Sequence, residues 1–487
     1  MTVNNRKGSY LISPILGCFT AIGFLFPHYF FVSLISLVTF IRIEFIKSFP
    51  SSTNFFLFYL CFFIIGCHWL IHPLRDFAHI PSLLSNIIIM GLCAYFALIY
   101  TLVVSLYKKF FAHSYFSLLF FSILMTLAEF VRSQGLGGFP FLMHGYLLTD
   151  TPFSYFIPIL GVYGMTMLLF YFCLSIVGKN SSLKKMGSFI IFISCLLMLL
   201  GQQNWTKPIH DVKIGIIQTN NKKDIFDNGK LKDGFSYINS RIKSIDKANL
   251  IIWPEGAFLL SQRVAFKMVN DELLIGGVFT ISNQKNVYNS MVVFNAMGTL
   301  LFTHHKYYLA QFNETIPEGF IWLLKLLNLP HVGLKSGSGR DVIYNSEYGI
   351  IGSLICYELL FPQFVHQYAN QVNYFIVVND LSWFLGSSFD KQYTHIGRFI
   401  AKSTQKPLMI ASNYGSSQWI DSKGNVVKEL KPHTSSSFVQ TIQIQSGKTP
   451  IAIYGDGAVA SFLFIVLILL SSAEHLYLRR FVSHALK

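Results

Sequence analysis

Ser353-Leu354-Ile355-Cys356-Tyr357-Glu358-Leu359-Leu360-Phe361-Pro362 is an apolar run that stops on a thiol beside a carboxylate. The chain has seven cysteines, and Cys18, Cys61, Cys67, Cys93, Cys173 and Cys195 lie in long apolar segments, where a thiol packs as a small hydrophobe. Cys356 alone lies in the polar part. No disulfide can form within that part, which leaves metal binding, buried packing or nucleophilic work. Without a Cys-x-x-Cys neighbour or a nearby histidine pair, zinc is disfavoured and no metal is expected.

Outward from this run, residues 212–446 alternate short apolar strands with polar helices. Residues 212–218 alternate in polarity and 250–253 form a buried run. Strands are expected again at 273–279, 290–294, 300–305, 350–356 and 374–378, with helices at 230–246 and 388–402. A segment of this size in mixed order is one α/β domain. Glu255 follows the strand ended by Pro254, Lys306 follows the strand at 300–305, and Cys356 ends its own strand, so all three can reach a common crevice. Taken separately, Glu255 and Lys306 read as solvated loop charges.

Together they make chemical sense. A free thiol has a pKa of about 8.5, so attack on a carbonyl needs a base to take its proton or a cation to favour the thiolate. Glu255 is placed to be that base. Desolvation raises its pKa and Lys306 pulls it down. Lys306 also steadies an oxyanion, with the backbone N–H after Cys356 as a second donor.

The rest of the chain belongs to a membrane. With 487 residues, 52% hydrophobic and 13% charged, and a mean hydropathy of +0.48, the protein is too apolar to be wholly soluble. Bilayer-crossing helices need roughly 17 to 25 apolar residues. Spans are expected near 11–26, 28–41, 54–72, 82–106, 114–131, 153–176, 186–202 and 457–478, the first two as a tight hairpin broken at Pro27-His28. With eight spans, Arg6, Lys7, Arg42, Lys47, Lys108, Lys109, Lys179, Lys184, Lys185, Arg479 and Arg480 fall on one side, which the positive-inside rule makes cytoplasmic. Both termini are then inside and the α/β domain is outside. The expected division is a seven-span transmembrane domain at 1–206, an extracytoplasmic catalytic domain at 207–450, and a last transmembrane helix with a cytoplasmic tail at 451–487.

The first apolar segment reads as retained rather than cleaved, because a second span follows at once. Much of the net charge of +15 lies in juxtamembrane loops facing anionic lipid, so no nucleic-acid partner is expected. Glu129 and Arg132, at i and i+3 on one helix face, are expected to pair with each other. No phosphate-binding glycine loop or nucleotide signature appears, and no cofactor is expected. His366 and His395 are the histidines available for a Cys-His enzyme, but nothing in the sequence places either beside Cys356.

Three motifs, Trp253-Pro254-Glu255, Lys306-Tyr307-Tyr308-Leu309-Ala310-Gln311-Phe312-Asn313-Glu314 and Ile355-Cys356-Tyr357-Glu358-Leu359-Leu360-Phe361-Pro362, resemble the catalytic motifs of the nitrilase superfamily. Their order, between a polytopic N-terminal part and one last span, resembles the apolipoprotein N-acyltransferase family of the bacterial inner membrane. Glu129 with Arg132 and Gly138-Phe139-Pro140 also resemble that family's membrane part. The resemblance implies an α-β-β-α sandwich and a Glu-Lys-Cys triad at Glu255, Lys306 and Cys356, assisted by Glu314, Tyr357 and Glu358. It further implies an acyl chain taken from a phospholipid as a thioester, then passed to the amine of a diacylglyceryl apolipoprotein. The partners expected are the phospholipid donor, the apolipoprotein acceptor and the membrane, with the protein acting as a monomer.

The sequence departs from the family at Ala310-Gln311-Phe312-Asn313, where Val-Pro-Phe-Gly is usual, and at Asn379-Asp380-Leu381-Ser382-Trp383-Phe384, which carries one extra residue. Ile400-Ala401-Lys402-Ser403 stands where an Arg-Ala-x-Glu signature is usual, and Phe226 where a tryptophan is usual. Residues 320–327, an apolar stretch followed by Gly333, Gly337 and Gly339, are expected to form a lipid-dipping cover. Competing readings are a water-using amidase with the same triad, which eight spans disfavour, and an inactive assembly protein, which retention of all three residue types disfavours.

Overall fold

The computed structural model describes residues 4–46, 50–134, 138–177, 204–220, 230–243, 245, 248–260, 272–311, 314–315, 333–384 and 386–485. The chain forms two compact units. One comprises Met1–His68, Ser82–Gln203 and Tyr454–Lys487; the other comprises Trp69–Pro81 and Asn204–Ile453.

In the first unit, α1 (Asn4–Leu25) and α2 (Phe30–Ile46) form the expected hairpin through a 3-10 turn at Pro27–Tyr29. Ser36 Oγ donates to the Leu16 carbonyl at 2.6 Å, and Gly23 N donates to Ser33 Oγ at 2.7 Å, so the two helices run antiparallel. Then follow α3 (Ser52–Gly66), α4 (Ser82–Phe110), α5 (Ser117–Gln134) and α6 (Ile157–Val177). On α4, Ser85, Ile89, Cys93, Phe96, Tyr100, Val104 and Tyr107 are buried, while Leu83, Ile87, Met90, Leu98, Leu102 and Leu106 are exposed. A helix apolar on both its inner and its outer stripe suits a hydrocarbon solvent.

Among the described residues, four helices are long and apolar enough to cross a membrane: Pro27–Ile46, Ser82–Phe110, Pro152–Val177 and Pro450–Leu476. Ser52–Gly66 with His68–Phe77 makes a fifth if counted as one broken span. Eight were expected. The difference has physical causes: the first helix offers only a shorter apolar stretch, Tyr10–Leu25, and α5 carries Glu129 and Arg132. The span expected at 186–202 lies outside the described residues, as do Phe226 and the expected cover at 320–327.

Two expectations are corrected here. Residues 69–72, read as the end of a span, belong to the second unit. Glu129 does not turn to Arg132. Its carboxylate accepts from His144 N (2.8 Å), His144 Nδ1 (2.6 Å) and Thr166 Oγ1 (2.6 Å), whereas Arg132 donates to the Phe139 carbonyl at 2.7 Å and lies over the Phe63 and Phe96 rings. The loop at 138–148 brings backbone groups that need partners, and these two side chains supply them.

The second unit contains two sheets. The first has β1 (Thr206–Gln218), β2 (Leu250–Trp253), β3 (Leu259–Leu260), β4 (Leu273–Ile281), β5 (Val287–Phe294), β6 (Leu300–His305) and β13 (Ser436–Gly447), in the order β13-β1-β2-β4-β5-β6 with β3 beside β4. The second has β7 (Ile343–Ser346), β8 (Gly349–Ile355), β9 (Tyr374–Asp380), β10 (Leu408–Asn413), β11 (Gln418–Ile420) and β12 (Val426–Glu429), in the order β12-β11-β10-β9-β8-β7. Strands β1, β2 and β4 are parallel, as are β8, β9 and β10.

Alternation decides which side chain faces which layer. Ile214, Ile216, Leu250, Ile252 and Ile275 meet Ile351, Ile355, Ile376, Val378 and Met409 between the sheets. Ile251, Trp253, Leu274 and Val292 point the other way, under Ile238 and Ile242 of α7 (Lys230–Ile242). On the second sheet, α8 (Pro362–Ala369) and α9 (Phe389–Thr404) bury Phe364, Val365, Tyr393, Ile396, Phe399 and Ile400. The result is a four-layered α-β-β-α sandwich. The last helix, α10 (Pro450–Ala485), is broken at Gly455, where φ is 78°.

Candidate active site

Three strands deliver three chemically distinct side chains beyond their C-terminal ends, where crevices form in sheets with parallel strands. Glu255 comes two residues after β2, on a turn that leans directly on β4. A Cβ at Gly277 would lie 2.3 Å from the Glu255 Cα, so only glycine lets the two backbones approach. Lys306 comes just after β6, its backbone N bonded to the Asn289 carbonyl of β5 at 2.8 Å. Cys356 follows β8 and begins a 3-10 turn, Cys356–Leu360. Its φ of 45° lies in the left-handed region, which costs a non-glycine residue roughly 1–3 kcal/mol and turns the thiol off the strand axis. The Tyr393 hydroxyl donates to the Cys356 carbonyl at 2.9 Å and braces that turn from α9.

Glu255, Lys306 and Cys356 line one cleft together with Asn289, Glu314 and Asp380. Much of the remaining lining is apolar: Phe279, Leu334, Leu360, Trp383, Phe384 and Phe389. Lys306 Nζ donates to Glu255 Oε1 at 2.9 Å and lies 2.9 Å from Glu314 Oε2. Asn289 Nδ2 donates to Glu255 Oε1 and to Glu314 Oε1, both at 2.6 Å. The second Glu255 oxygen accepts from the Asp380 backbone N at 2.8 Å, and the second Glu314 oxygen accepts from Ala310 N at 2.8 Å. Two buried carboxylates thus share one ammonium and one amide.

The electrostatics follow from this crowding. Burial pushes the Glu255 carboxyl above its ordinary value against the pull of Lys306, with Glu314 adding to the rise. Burial opposes the charge on Lys306, but Glu255 and Glu314 outweigh it and hold the ammonium well above the usual lysine range. The Cys356 thiol is pushed well above its usual value by burial and then by Glu255, while Lys306 pulls it down. At rest the site therefore holds a thiol, not a thiolate, beside a carboxylate with raised proton affinity.

Tyr357 lines the cleft, with its ring 5.1 Å from that of Phe361. Glu358 does not line it. Fully buried, Glu358 accepts from Ile355 N (2.8 Å), Tyr307 N (2.7 Å) and His304 Nε2 (2.9 Å). Asn289, Tyr393 and His304 were not singled out from the sequence. Asn289, polar and ahead of the apolar residues 291–294 of β5, was the available signal, because a buried amide in a strand needs partners. His366 bonds Ser403 at 2.7 Å and belongs to the packing of α8 on α9.

Comparison with known proteins gives two family models. One described as "Apolipoprotein N-acyltransferase N-terminal domain" matches residues 16–175, and one described as "Carbon-nitrogen hydrolase" matches residues 264–449. An apolipoprotein N-acyltransferase of Haemophilus influenzae is 27% identical over 499 residues, covering 95% of this chain and 95% of that one. Those of Haemophilus ducreyi and Nitrosomonas europaea are 28% and 27% identical, covering 83% and 85% of this chain and 84% and 86% of theirs. Among solved structures, Saccharomyces cerevisiae Nit3, of the nitrilase superfamily, is 16% identical with a TM-score of 0.38, covering 53% of this chain and 95% of that one.

Proposed function

The chain belongs to the apolipoprotein N-acyltransferase family, and from that premise we propose that it carries a fatty acyl chain from a phospholipid to the N-terminal amine of a diacylglyceryl-cysteine apolipoprotein, through a thioester on Cys356. The observation that carries this reading is a thiol, a carboxylate and an ammonium lining one cleft whose remaining lining is largely aromatic and aliphatic.

In the first half-reaction Glu255 takes the Sγ proton as sulfur attacks the ester carbonyl carbon. Moving that proton removes the negative charge that disfavours the thiolate and leaves Lys306 facing the sulfur, so the raised thiol pKa is no obstacle. The tetrahedral oxyanion is met by Lys306 and the backbone N–H of Tyr357; one such donor is worth about 3 to 4 kcal/mol. The C–O bond breaks, and the leaving alkoxide takes the proton from Glu255 to give a lysophospholipid.

In the second half-reaction the acceptor amine attacks the thioester carbonyl. It gives its proton to Glu255, the C–S bond breaks, and Glu255 passes that proton to the leaving thiolate, which restores the thiol and the carboxylate. Glu314 shares Lys306 with Glu255 and aims the ammonium; Tyr357 and Glu358 support the turn that carries the sulfur. Both substrates carry acyl chains in the bilayer, which fits apolar helices before and after the α/β segment in the chain. We place the catalytic unit on the periplasmic side of the inner membrane with both termini cytoplasmic, on the distribution of lysine and arginine.

The test is intact mass spectrometry of the purified protein in phospholipid micelles. A hydroxylamine-labile acyl adduct on Cys356, absent from Cys356→Ala and discharged by a diacylglyceryl-cysteine peptide, is expected. Hydrolysis of small amides with no lipid adduct would overturn the reading.

A further inference from the structure

Between α3 and α4 the chain leaves the helical unit, and Trp69–Pro81 folds as part of the catalytic unit. Two of its aromatic side chains stand directly behind the apolar wall of the cleft. Trp69, 2% exposed, meets the Phe384 ring edge-on at 5.3 Å and the Phe389 ring at 4.6 Å. Those two rings stack on each other at 3.7 Å. Phe77 packs on Trp383 at 4.4 Å. Every aromatic ring of the wall formed by Trp383, Phe384 and Phe389 is therefore braced by a segment some three hundred residues earlier in the chain.

The segment is itself held in an uncommon shape. Pro73–Phe77 forms a π-helical turn, closed by Ala78 N donating to the Pro73 carbonyl at 3.0 Å. Asp76 accepts from Arg75 Nε at 2.6 Å and from His72 Nδ1 at 2.8 Å. Single π-turns are rare and concentrate at functional sites.

We propose that Trp69 and Phe77 are specificity-determining positioning residues: by holding Trp383, Phe384 and Phe389, they fix the width of the cleft on the side that receives the acyl chain, and so favour straight chains over methyl-branched ones. The proposal rests on the acyl-transfer reading above. A wall of rings held by further rings yields less readily to an added methyl than an unbraced one, and one methyl or methylene in a hydrophobic pocket changes discrimination by about tenfold or more. Shrinking the bracing ring lets the wall retreat. That changes which chain fits without touching Cys356, Glu255 or Lys306.

The full-length protein, reconstituted with equimolar dipalmitoyl phosphatidylethanolamine and its methyl-branched counterpart of the same chain length, is read by the ratio of the two thioesters on Cys356. Wild type forms the straight-chain adduct predominantly. Trp69→Leu and Phe77→Leu each raise the branched-to-straight ratio by roughly tenfold, and Trp69→Phe restores most of the preference. Should either leucine variant fail to fold, Trp69→Phe and Phe77→Met carry the same test with smaller shifts in the same direction. An unchanged ratio in the folded variants, whatever the total yield of adduct, overturns the proposal. Absence of any adduct in the wild type instead overturns the acyl-transfer reading.

Discussion

Glu358 Oε1 accepts a hydrogen bond from the backbone N of Tyr307 at 2.7 Å, while its other oxygen accepts from Ile355 N at 2.8 Å and His304 Nε2 at 2.9 Å. One buried carboxylate thereby ties the residue after the lysine to the residue before the cysteine. A carboxylate only accepts, so His304 must carry its proton on Nε2. Glu358→Gln keeps the volume but replaces one accepting oxygen with a donor, which then faces N–H groups. Hydrogen bonds to charged groups contribute about 1.5–3 kcal/mol. Glu358→Gln is therefore expected to lower the rate constant for thioester formation by roughly ten- to a hundredfold with little change in KM. His304→Ala lowers it less and His304→Gln restores it, as stopped-time adduct formation on Cys356 will show.

The raised pKa of Glu255 has a readable sign. As the proposed base, Glu255 must be ionised to accept the thiol proton, so activity is expected to be lost as pH falls through its folded-state pKa. That value lies above the ordinary one of about 4.3. The acid limb of the pH–rate profile is expected at correspondingly higher pH, and Glu255→Gln removes the limb together with about a hundred- to ten-thousandfold of rate. An acid limb at the ordinary carboxylate value would show that another group is the base.

Asn289 holds both carboxylates of the site at 2.6 Å. Asn289→Leu leaves Glu255 and Glu314 with Lys306 as their shared cation and takes one donor from each. Because that donor favours the charged form, its loss raises the Glu255 pKa further and moves the acid limb to higher pH. Rate at neutral pH falls with it, and the loss is partly recovered in alkaline buffer. Thermal unfolding should register a cost of about 1–3 kcal/mol for the donor lost to each buried carboxylate.

The sandwich was legible where side-chain period and burial agree. Leu250–Trp253 and Tyr374–Asp380 are buried throughout, so their apolar runs read as strands without ambiguity. Glu255, Lys306 and Cys356 stood out because each breaks such a run at its end. Residues 408–447 were not read as strands. Ser436–Gly447 mixes Gln440, Thr441, Gln443 and Gln445 with its apolar positions because it lies at the edge of its sheet, beside β1. Leu408–Asn413 ends on Asn413, whose amide donates to Asp380 at 3.0 Å, a partner that only the fold reveals. Trp69-Leu70-Ile71 read as membrane because hydropathy scores an aromatic that packs on other aromatics the same as one that faces lipid. Glu129 and Arg132 read as a pair because spacing along a helix is visible in a sequence and a returning loop is not.

That loop yields the last prediction. Glu129 is fully buried, and its two oxygens satisfy His144 N, His144 Nδ1 and Thr166 Oγ1, while Thr166 Oγ1 accepts from Gly145 N at 2.9 Å. Removing the carboxylate strands two donors on His144 in an apolar interior, each at a cost of about 1–3 kcal/mol. Glu129→Gln keeps an oxygen for the backbone N and the imidazole, and its amide can donate to Thr166, whose hydroxyl has acceptor capacity left. Glu129→Leu keeps nothing. The melting temperature in detergent should therefore fall modestly for Glu129→Gln and steeply for Glu129→Leu, and His144→Phe in the Leu background should recover part of the loss by removing the stranded ring donor. Equal losses for the two single variants would mean that the negative charge, not the set of acceptors, holds the loop.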